Sequence, residues 1–390
     1  MDEAWFKDFM KDVARGDAAR FLKQQRPPQA RWARPDTLCE IASLSYNPAT
    51  PDGKVLVGAL GDHLIGIKDD RHLMTVAGSR SGKSVGLVGN LSFYNGSVLV
   101  TDPKGELARL TAKRRATKGQ RVHVLDPFGV AGEAVAAFRA SYNPMDILKA
   151  GSPTFLEDAA LIAESMVVQS PDQRDPHWDE SARNFIEGVI VHVATAKQYE
   201  ARRSLVTVRE LLKRALWVAP DDESDGGKKK RARPLLFFEL MANADQLEAA
   251  PETADLGGAV LGAAEDFYSK AENELAGVQS TINRHTKFLD YTALRKVVER
   301  SDFSLSDLKA KPEGVSVYLC FPATRVELSR RWLRIFVNQL LDAMEREKTK
   351  PKAPVLVCLD EFPVLGYMKQ IETASGLIAS FDVKLWTILQ

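Results

Sequence analysis

Residues Leu73 to Gly86 read LMTVAGSRSGKSVG, and this stretch decides the class of fold. A short apolar run leads into a glycine-rich turn, and apolar residues at helical spacing follow it. Such a turn fits the P-loop pattern G-x-x-x-x-G-K-[ST], except that Ala77 stands at its first position. Backbone N–H groups of a P-loop converge on one point and cradle phosphate oxygens. We therefore predict a nucleotide-binding turn between a strand and a helix; the alternative is an ordinary strand–turn–helix connection that contains Gly-Lys-Ser.

The chemistry of this turn assigns a role to each polar residue. Lys83 is expected to reach the β and γ phosphates of ATP, and the Ser84 hydroxyl is expected to hold Mg²⁺. The residues predicted to line the phosphate cradle are Gly78, Ser79, Arg80, Ser81, Gly82, Lys83 and Ser84.

A second apolar run, PVLVCL at 354–359, ends in two carboxylates and has the form of a Walker B strand. Asp360 is predicted to hold Mg²⁺ through water, and Glu361 to orient and deprotonate the attacking water. The next apolar segment, 383–389, leads to Gln390, which we interpret as a polar sensor of the γ phosphate, with a capping amide as the alternative. Together these residues predict an ATPase that uses ATP and Mg²⁺.

Composition excludes several classes of protein. The chain has 390 residues, of which 45% are hydrophobic and 27% charged, so it is globular and long enough for more than one domain. A formal net charge of +1 gives no whole-chain positive field for nucleic acid. Cys39, Cys320 and Cys358 are expected to be reduced thiols, and scattered histidines do not predict a metal site. No apolar stretch is long enough to span a bilayer, so we expect a soluble, cytoplasmic chain.

Periodicity divides the chain into three regions. Residues 1–45 form an N-terminal segment with helical spacing, residues 46–150 and 300–390 alternate strands and helices, and residues 151–299 are helical. The apolar run 97–101 is typical of a parallel strand buried on both faces, and 121–126 and 315–321 are interpreted as further strands. This predicts an α/β nucleotide-binding domain with an inserted all-α domain. Within the insertion, the charged stretch Asp221–Arg233 is either a solvated tip or a contact for DNA or a partner.

Two further groups of residues leave alternatives open. Asp102 and Lys104 follow the apolar run 97–101 and either line the rim of the nucleotide pocket or form a surface ion pair. Ring ATPases commonly complete the site with an arginine from a neighbouring subunit, but no arginine lies between Glu361 and Gln390. Candidates for this arginine elsewhere in the chain are Arg325, Arg330, Arg331 and Arg334. The alternative is that these four are solvated arginines on the surface of a helix.

Several segments together resemble the coupling ATPases of type IV secretion and conjugative DNA transfer. They are AGSRSGKS (77–84), VTDPKGEL (100–107), VLDPFG (124–129), SYNPMDIL (141–148), DPHWDESARNFIEGVIVHV (175–193), NELAGVQSTINRHTKFLD (273–290), SDFSLSDL (301–308), LDEFPVLG (359–366) and VKLWTILQ (383–390). The resemblance covers the chain from about residue 45 to its end, in the order of the family.

This resemblance implies a RecA-like P-loop domain with an all-α insertion, assembled as a homo-hexameric ring. Such proteins bind at the base of a secretion channel in the inner membrane, recruit relaxase-bound DNA or protein effectors, and drive export by ATP hydrolysis. Lys83 and Ser84 match the Walker A ligands of the family, and Asp360 and Glu361 match the Walker B pair. Gln390 matches the glutamine of the motif that follows Walker B. Asp102, Lys104 and Glu106 match a signature of less clear role.

The chain departs from the resemblance in two respects. It has no N-terminal membrane helices, so we expect a soluble member or one anchored by a partner, recruited to the cytoplasmic face of the inner membrane. It also stops where relatives continue. Two other functions stay open at this point: a DNA pump for segregation or packaging, and a nucleotide-binding adaptor that does not hydrolyse ATP.

Overall fold

The computed structural model describes most of the chain. The described residues are 11, 33–69, 71–78, 80–168, 176–218, 233–360 and 378–389, without the side chains of 323, 326 and 327. Contacts divide the chain into two compact units, residues 1–46 with 57–67 and residues 47–56 with 68–390.

The first unit is small. Its described part contains helix α1 (Pro35–Glu40) and a two-stranded sheet of β1 (Val55–Leu60) and β2 (His63–Ile67). A Cβ at Gly66 would lie 2.5 Å from the Tyr46 ring, so this position requires a glycine. Of the predicted N-terminal helical segment, 1–45, residues 1–10 and 12–32 lie outside the described residues.

A six-stranded sheet forms the centre of the second unit. Its strands are β3 (Leu73–Val76), β4 (Val98–Thr101), β5 (Arg121–Leu125), β6 (Val315–Leu319), β7 (Val355–Leu359) and β8 (Val383–Leu389). All pairs are parallel, in the order β3-β8-β7-β4-β6-β5. Every residue of β4, β6 and β7 is buried, as expected for central strands covered on both faces. The predicted parallel α/β sheet is confirmed.

Helices connect these strands. They are α2 (Lys83–Phe93), α3 (Glu106–Thr117), α4 (Phe155–Met166), α5 (His177–Thr195), α6 (Leu205–Lys213), α7 (Leu235–Glu248), α8 (Ala254–Ser269), α9 (Glu272–Thr286), α10 (Thr292–Val298), α11 (Asp307–Ala310) and α12 (Val326–Arg346). Between β5 and β6, every regular element in the described residues is helical. Within the described ranges, no helix is both long and apolar enough to cross a bilayer.

One hydrophobic core runs through the second unit, from the sheet into the helical insertion. Leu99 and Val357 on the sheet belong to the same buried cluster as Trp332 and Phe336 on α12 and Phe185 on α5. Helix α12 packs against α4, so it lies between the sheet and the insertion. Cys320 and Cys358 are buried and, like Cys39, have free thiols, as predicted.

Polar contacts tie the two motif segments 141–148 and 301–308 together and to α12. The Ser141 N–H donates to a carboxylate oxygen of Asp302 over 2.7 Å. The Tyr142 hydroxyl donates to the Gln339 amide oxygen over 2.8 Å, and the Gln339 amide N–H₂ donates to the carbonyl of Pro144 over 2.9 Å. These buried bonds fix the point at which the chain leaves the sheet for the insertion and returns from it.

A fully buried guanidinium, that of Arg115 on α3, anchors helix α2 to the sheet. It donates to the carbonyls of Leu91 at 2.7 Å and Tyr94 at 3.2 Å, at the end of α2. It also donates to the Gly96 carbonyl at 2.7 Å, just before β4, and to the Ser316 hydroxyl on β6 at 2.5 Å. The last carbonyls of a helix have no partner within the helix, and Arg115 supplies one.

Replacing Arg115 by methionine is expected to lower the free energy of unfolding by about 2–4 kcal/mol, because several buried acceptors would lose their donor. Arg109→Met is the matched control, since Arg109 is exposed on the same helix; a surface change of this kind costs less than about 0.5 kcal/mol. Urea unfolding of the three proteins measures the difference. Equal midpoints for the two variants would contradict the anchoring role.

Candidate nucleotide-binding site

The P-loop lies at the carboxyl end of β3, as the sequence predicts. Ala77 extends the ladder by donating its N–H to the Leu389 carbonyl over 3.2 Å. The loop then turns through left-handed backbone at Arg80 (φ 63°) and Gly82 (φ 89°), and helix α2 begins at Lys83. Gly82 suits this cap because a side chain there would be strained. Ser79 lies outside the described residues.

The polar side chains of the loop hold it in a closed ring. The Ser81 hydroxyl donates to the carbonyl of Gly78 over 2.6 Å. The Lys83 ammonium donates to the carbonyl of Ala77 over 3.1 Å, six residues earlier in the chain. Lys83 therefore points across the mouth of the loop, where it could contact a bound phosphate.

The loop has the properties that a phosphate group requires. A Cβ at Gly78 or Gly82 would meet no atom within 4 Å, so the backbone there is open to a ligand. Helix α2 presents the unpaired N–H groups and the positive end of its dipole at the same point. The Ser84 hydroxyl is on the exposed first turn and could hold a metal ion beside the phosphates.

The strand order brings Asp360 to the same edge of the sheet as the P-loop. Strand β7 ends at Leu359, and only β8 separates it from β3. With neighbouring strands about 4.8 Å apart, the two strand ends are roughly 10 Å apart, a gap that phosphates and a metal ion can fill. The Thr101 hydroxyl donates to the Asp360 carbonyl over 3.0 Å and holds this end of β7 against β4. Glu361 and Gln390 lie outside the described residues, so their predicted roles stay predictions.

Asp102 neither lines the rim of the nucleotide pocket nor forms a surface ion pair, the two environments predicted from the sequence. It is only 2% exposed, and its carboxylate accepts the N–H of Ala108 at 2.8 Å, which stabilises the start of α3. Lys104 is exposed on the intervening turn. The surface ion pair between Asp102 and Lys104 is therefore wrong, because the aspartate turns inward to the backbone.

The turn that contains Asp102 has a second copy in the chain, which was not predicted from the sequence. Asp126, at the end of β5, accepts the N–H groups of Val130 at 2.8 Å and Ala131 at 2.9 Å. Both turns have the sequence D-P-x-G, and their glycines, Gly105 and Gly129, have φ of 65° and 71°. A Cβ at Gly105 would lie 2.5 Å from the backbone of Ala131, so the first turn packs directly on the second. The repeat of D-P-x-G after two apolar runs was the available signal.

The pKa of Asp102 is raised to about 6: burial is the main cause and the nearby charge of Asp360 adds to it, while the backbone N–H groups that the carboxylate accepts act in the opposite direction. Burial also raises the pKa of the neighbouring Cys320 thiol, whose sulphur lies 3.9 Å from the Asp102 carboxylate. Both shifts have the same main cause, the removal of these two groups from water.

The four arginines proposed as candidates for a neighbouring site differ in exposure. Arg334 is only 8% exposed, and burial lowers its pKa, so it is not available to a neighbouring subunit. Arg331 donates to the Met166 carbonyl over 3.2 Å and thus faces the helical insertion. Arg325 is exposed, with its guanidinium carbon 5.2 Å from the centre of the Phe128 ring.

Comparison with protein families gives one match over nearly the whole chain. The family described as type IV secretory system conjugative DNA transfer matches residues 32–390. The chain belongs to this family. The resemblance inferred from the motif segments is therefore confirmed.

Relatives and solved structures agree with this membership. The conjugal transfer protein TraG of Escherichia coli is 27% identical over 389 residues, covering 93% of this chain and 57% of TraG. The VirD4 protein of Rhizobium radiobacter is 25% identical over 323 residues, covering 82% of this chain and 42% of VirD4. The chain thus spans about half the length of these relatives.

The fold is similar to that of the conjugative coupling protein TrwB. An unbound TrwB structure superimposes with a TM-score of 0.60 at 14% identity, covering 94% of this chain and 73% of the TrwB chain. A further TrwB structure contains ADP and Mg²⁺ and has a TM-score of 0.57 at the same 14% identity, covering 94% and 74% of the two chains. The predicted fold class is confirmed.

The pKa of Asp102 has a consequence for stability. Its folded value of about 6 exceeds the ordinary 3.8, so the native state binds more protons between these values, and stability falls as pH rises through this window. Asp102→Asn removes this dependence, and its free energy of unfolding relative to the native sequence is expected to rise by up to about 3 kcal/mol between pH 4 and pH 7. Urea unfolding across this range, without Mg²⁺ or nucleotide, tests it; parallel profiles for both proteins would exclude the buried titration.

Proposed function

We propose that this protein is a coupling ATPase, which recruits DNA–relaxase complexes or protein effectors to a type IV secretion channel and drives their transfer by ATP hydrolysis. The observation that carries the proposal is the strand order, in which one strand separates the P-loop on β3 from Asp360 on β7. Family membership supports the transport role, and the nucleotide and Mg²⁺ bound to TrwB support the choice of ligand.

In this proposal each residue of the site has one task. The backbone of residues 78–82 cradles the phosphates, and Lys83 exchanges its bond to the Ala77 carbonyl for contacts with the β and γ phosphates. Ser84 and Asp360 hold Mg²⁺, which neutralises charge on the phosphates. Glu361 orients the attacking water and accepts its proton, and Gln390 contacts the γ phosphate.

The proposed assembly is a homo-hexamer at the cytoplasmic face of the inner membrane, in contact with components of the secretion channel. A ring would allow a subunit to supply an arginine to the site of its neighbour. Arg325 is the most accessible of the four candidate arginines, and it lies beside the D-P-x-G turn that follows β5, at the opposite side of the sheet from the P-loop strand β3.

Lys83→Ala is expected to weaken ATP binding by at least about a hundredfold, because the ammonium supplies the main charge contact to the phosphates. Lys113→Ala, which removes an exposed lysine from α3, is the matched control. Fluorescent ATP-analogue titration with Mg²⁺ measures both. Unchanged binding in Lys83→Ala would show that the turn is an ordinary strand–helix connection.

Glu361→Gln separates a motor from a nucleotide-binding adaptor. The variant is expected to bind ATP with the native affinity and to lose at least about a hundredfold in hydrolysis rate, because an amide cannot accept the proton of water. Phosphate release with single-stranded and double-stranded DNA present, together with substrate transfer in cells, provides the readout. If the native protein binds ATP without turnover and Glu361→Gln leaves transfer intact, the motor is excluded.

A further inference from the structure

The helical insertion has an exposed apolar surface that the nucleotide site does not use. We call it the Trp217 face; it consists of Leu216, Trp217, Val218, Leu235 and Phe238. Trp217 is 60% exposed and Phe238 is 56% exposed, whereas most large aromatic side chains of this unit are buried. Single exposed apolar residues are ordinary, but a group of five that includes two aromatic rings and comes from two neighbouring segments is typical of an interaction site.

The two parts of this face are held together by direct bonds. The Leu235 N–H donates to the Trp217 carbonyl over 2.9 Å, so the end of one segment meets the start of α7. Tyr268 braces both from below: its hydroxyl donates to the Ala215 carbonyl over 2.8 Å, and its ring lies 5.4 Å from that of Phe237. Leu235 and Phe238 are three residues apart on α7 and therefore share one side of the helix.

The rim of the Trp217 face is basic. The guanidinium carbon of Arg214 lies 5.2 Å from the centre of the Trp217 ring, and that of Arg233 lies 4.3 Å from the centre of the Phe237 ring. Both arginines are exposed to solvent. The guanidinium groups thus flank the aromatic rings and keep their charge available to a ligand.

We infer that the Trp217 face binds a protein segment that carries both apolar and acidic side chains. Three of its five apolar residues, Leu216, Val218 and Leu235, are aliphatic and offer no surface for stacking of bases, which single-stranded nucleic acid requires. Aromatic residues and arginine around an apolar centre are instead the composition of protein interfaces. The inference rests on the proposed recruitment function. It states that the transported protein, or a protein bound to it, contacts the coupling ATPase at the Trp217 face.

The test uses the full chain and a defined probe. The probe is a fluorescein-labelled peptide in which Asp and Glu alternate with Leu and Phe at helical spacing, and the comparison peptide has Lys at every acidic position. Fluorescence anisotropy is expected to show binding of the acidic peptide alone, weakened by high salt. The double variant Trp217→Ala/Phe238→Ala is expected to reduce affinity by at least about tenfold. Leu110→Ala is the matched control, because Leu110 is 53% exposed on α3.

Other outcomes would overturn the inference in distinct ways. Equal binding of the acidic peptide to the native protein and the double variant excludes the face as its site. Binding of an oligothymidylate that the double variant loses, with no binding of the peptide, identifies a nucleic-acid surface. A mass in solution that falls in the double variant identifies a contact between copies of this chain. The assay needs no nucleotide, so a negative result leaves the proposed ATPase intact, and loss of ATP binding in Lys83→Ala leaves the Trp217 face intact.

Discussion

The buried guanidinium of Arg115 is the constraint on which the geometry of the nucleotide site depends. A P-loop helix positions phosphates correctly only if its axis is fixed relative to the strands, and the glycine-rich loop at its start cannot provide that rigidity. Arg115 fixes the opposite end of α2 by pairing with the Leu91 and Tyr94 carbonyls and with the chain leading into β4. Its bond to Ser316 extends the attachment to β6. The position of the P-loop is thus fixed through the C-terminal end of α2, and the phosphate-binding side of the loop remains accessible.

Much of this architecture could be predicted from the sequence because the central strands β4, β6 and β7 are mainly apolar and buried along their whole length. A strand buried on both faces has few alternatives, and all six strands of the parallel sheet lie where apolar runs predicted them. The P-loop glycines and the aspartate after β7 were equally clear, since each combines a motif with a strand end. That Ala77 replaces the first glycine has no structural cost, because its N–H simply continues the ladder to β8.

The features that could not be predicted from the sequence are the orientation of individual side chains and contacts between residues that are distant in the chain. Asp102 follows a strand just as Asp360 does, yet its carboxylate faces inward and accepts the N–H of Ala108 in α3. Arg334 is in a helix with an arginine-rich surface but is buried against the insertion. The Trp217 face likewise depends on a bond between residues 217 and 235, which a pattern along the chain cannot predict.

Helix α12 is shared by both halves of the large unit. Its 21 residues span about 31 Å. It leaves the sheet after β6 and returns to it at β7, the strand that ends at Asp360. On its other side, Arg331 and Asn338 bond to α4 through the Met166 carbonyl and the Ser165 hydroxyl. A rod of this length converts a tilt of about 5° at one end into a displacement of about 3 Å at the other. Because this one helix bonds to α4 and leads into β7, a change in its tilt at the sheet would displace the insertion.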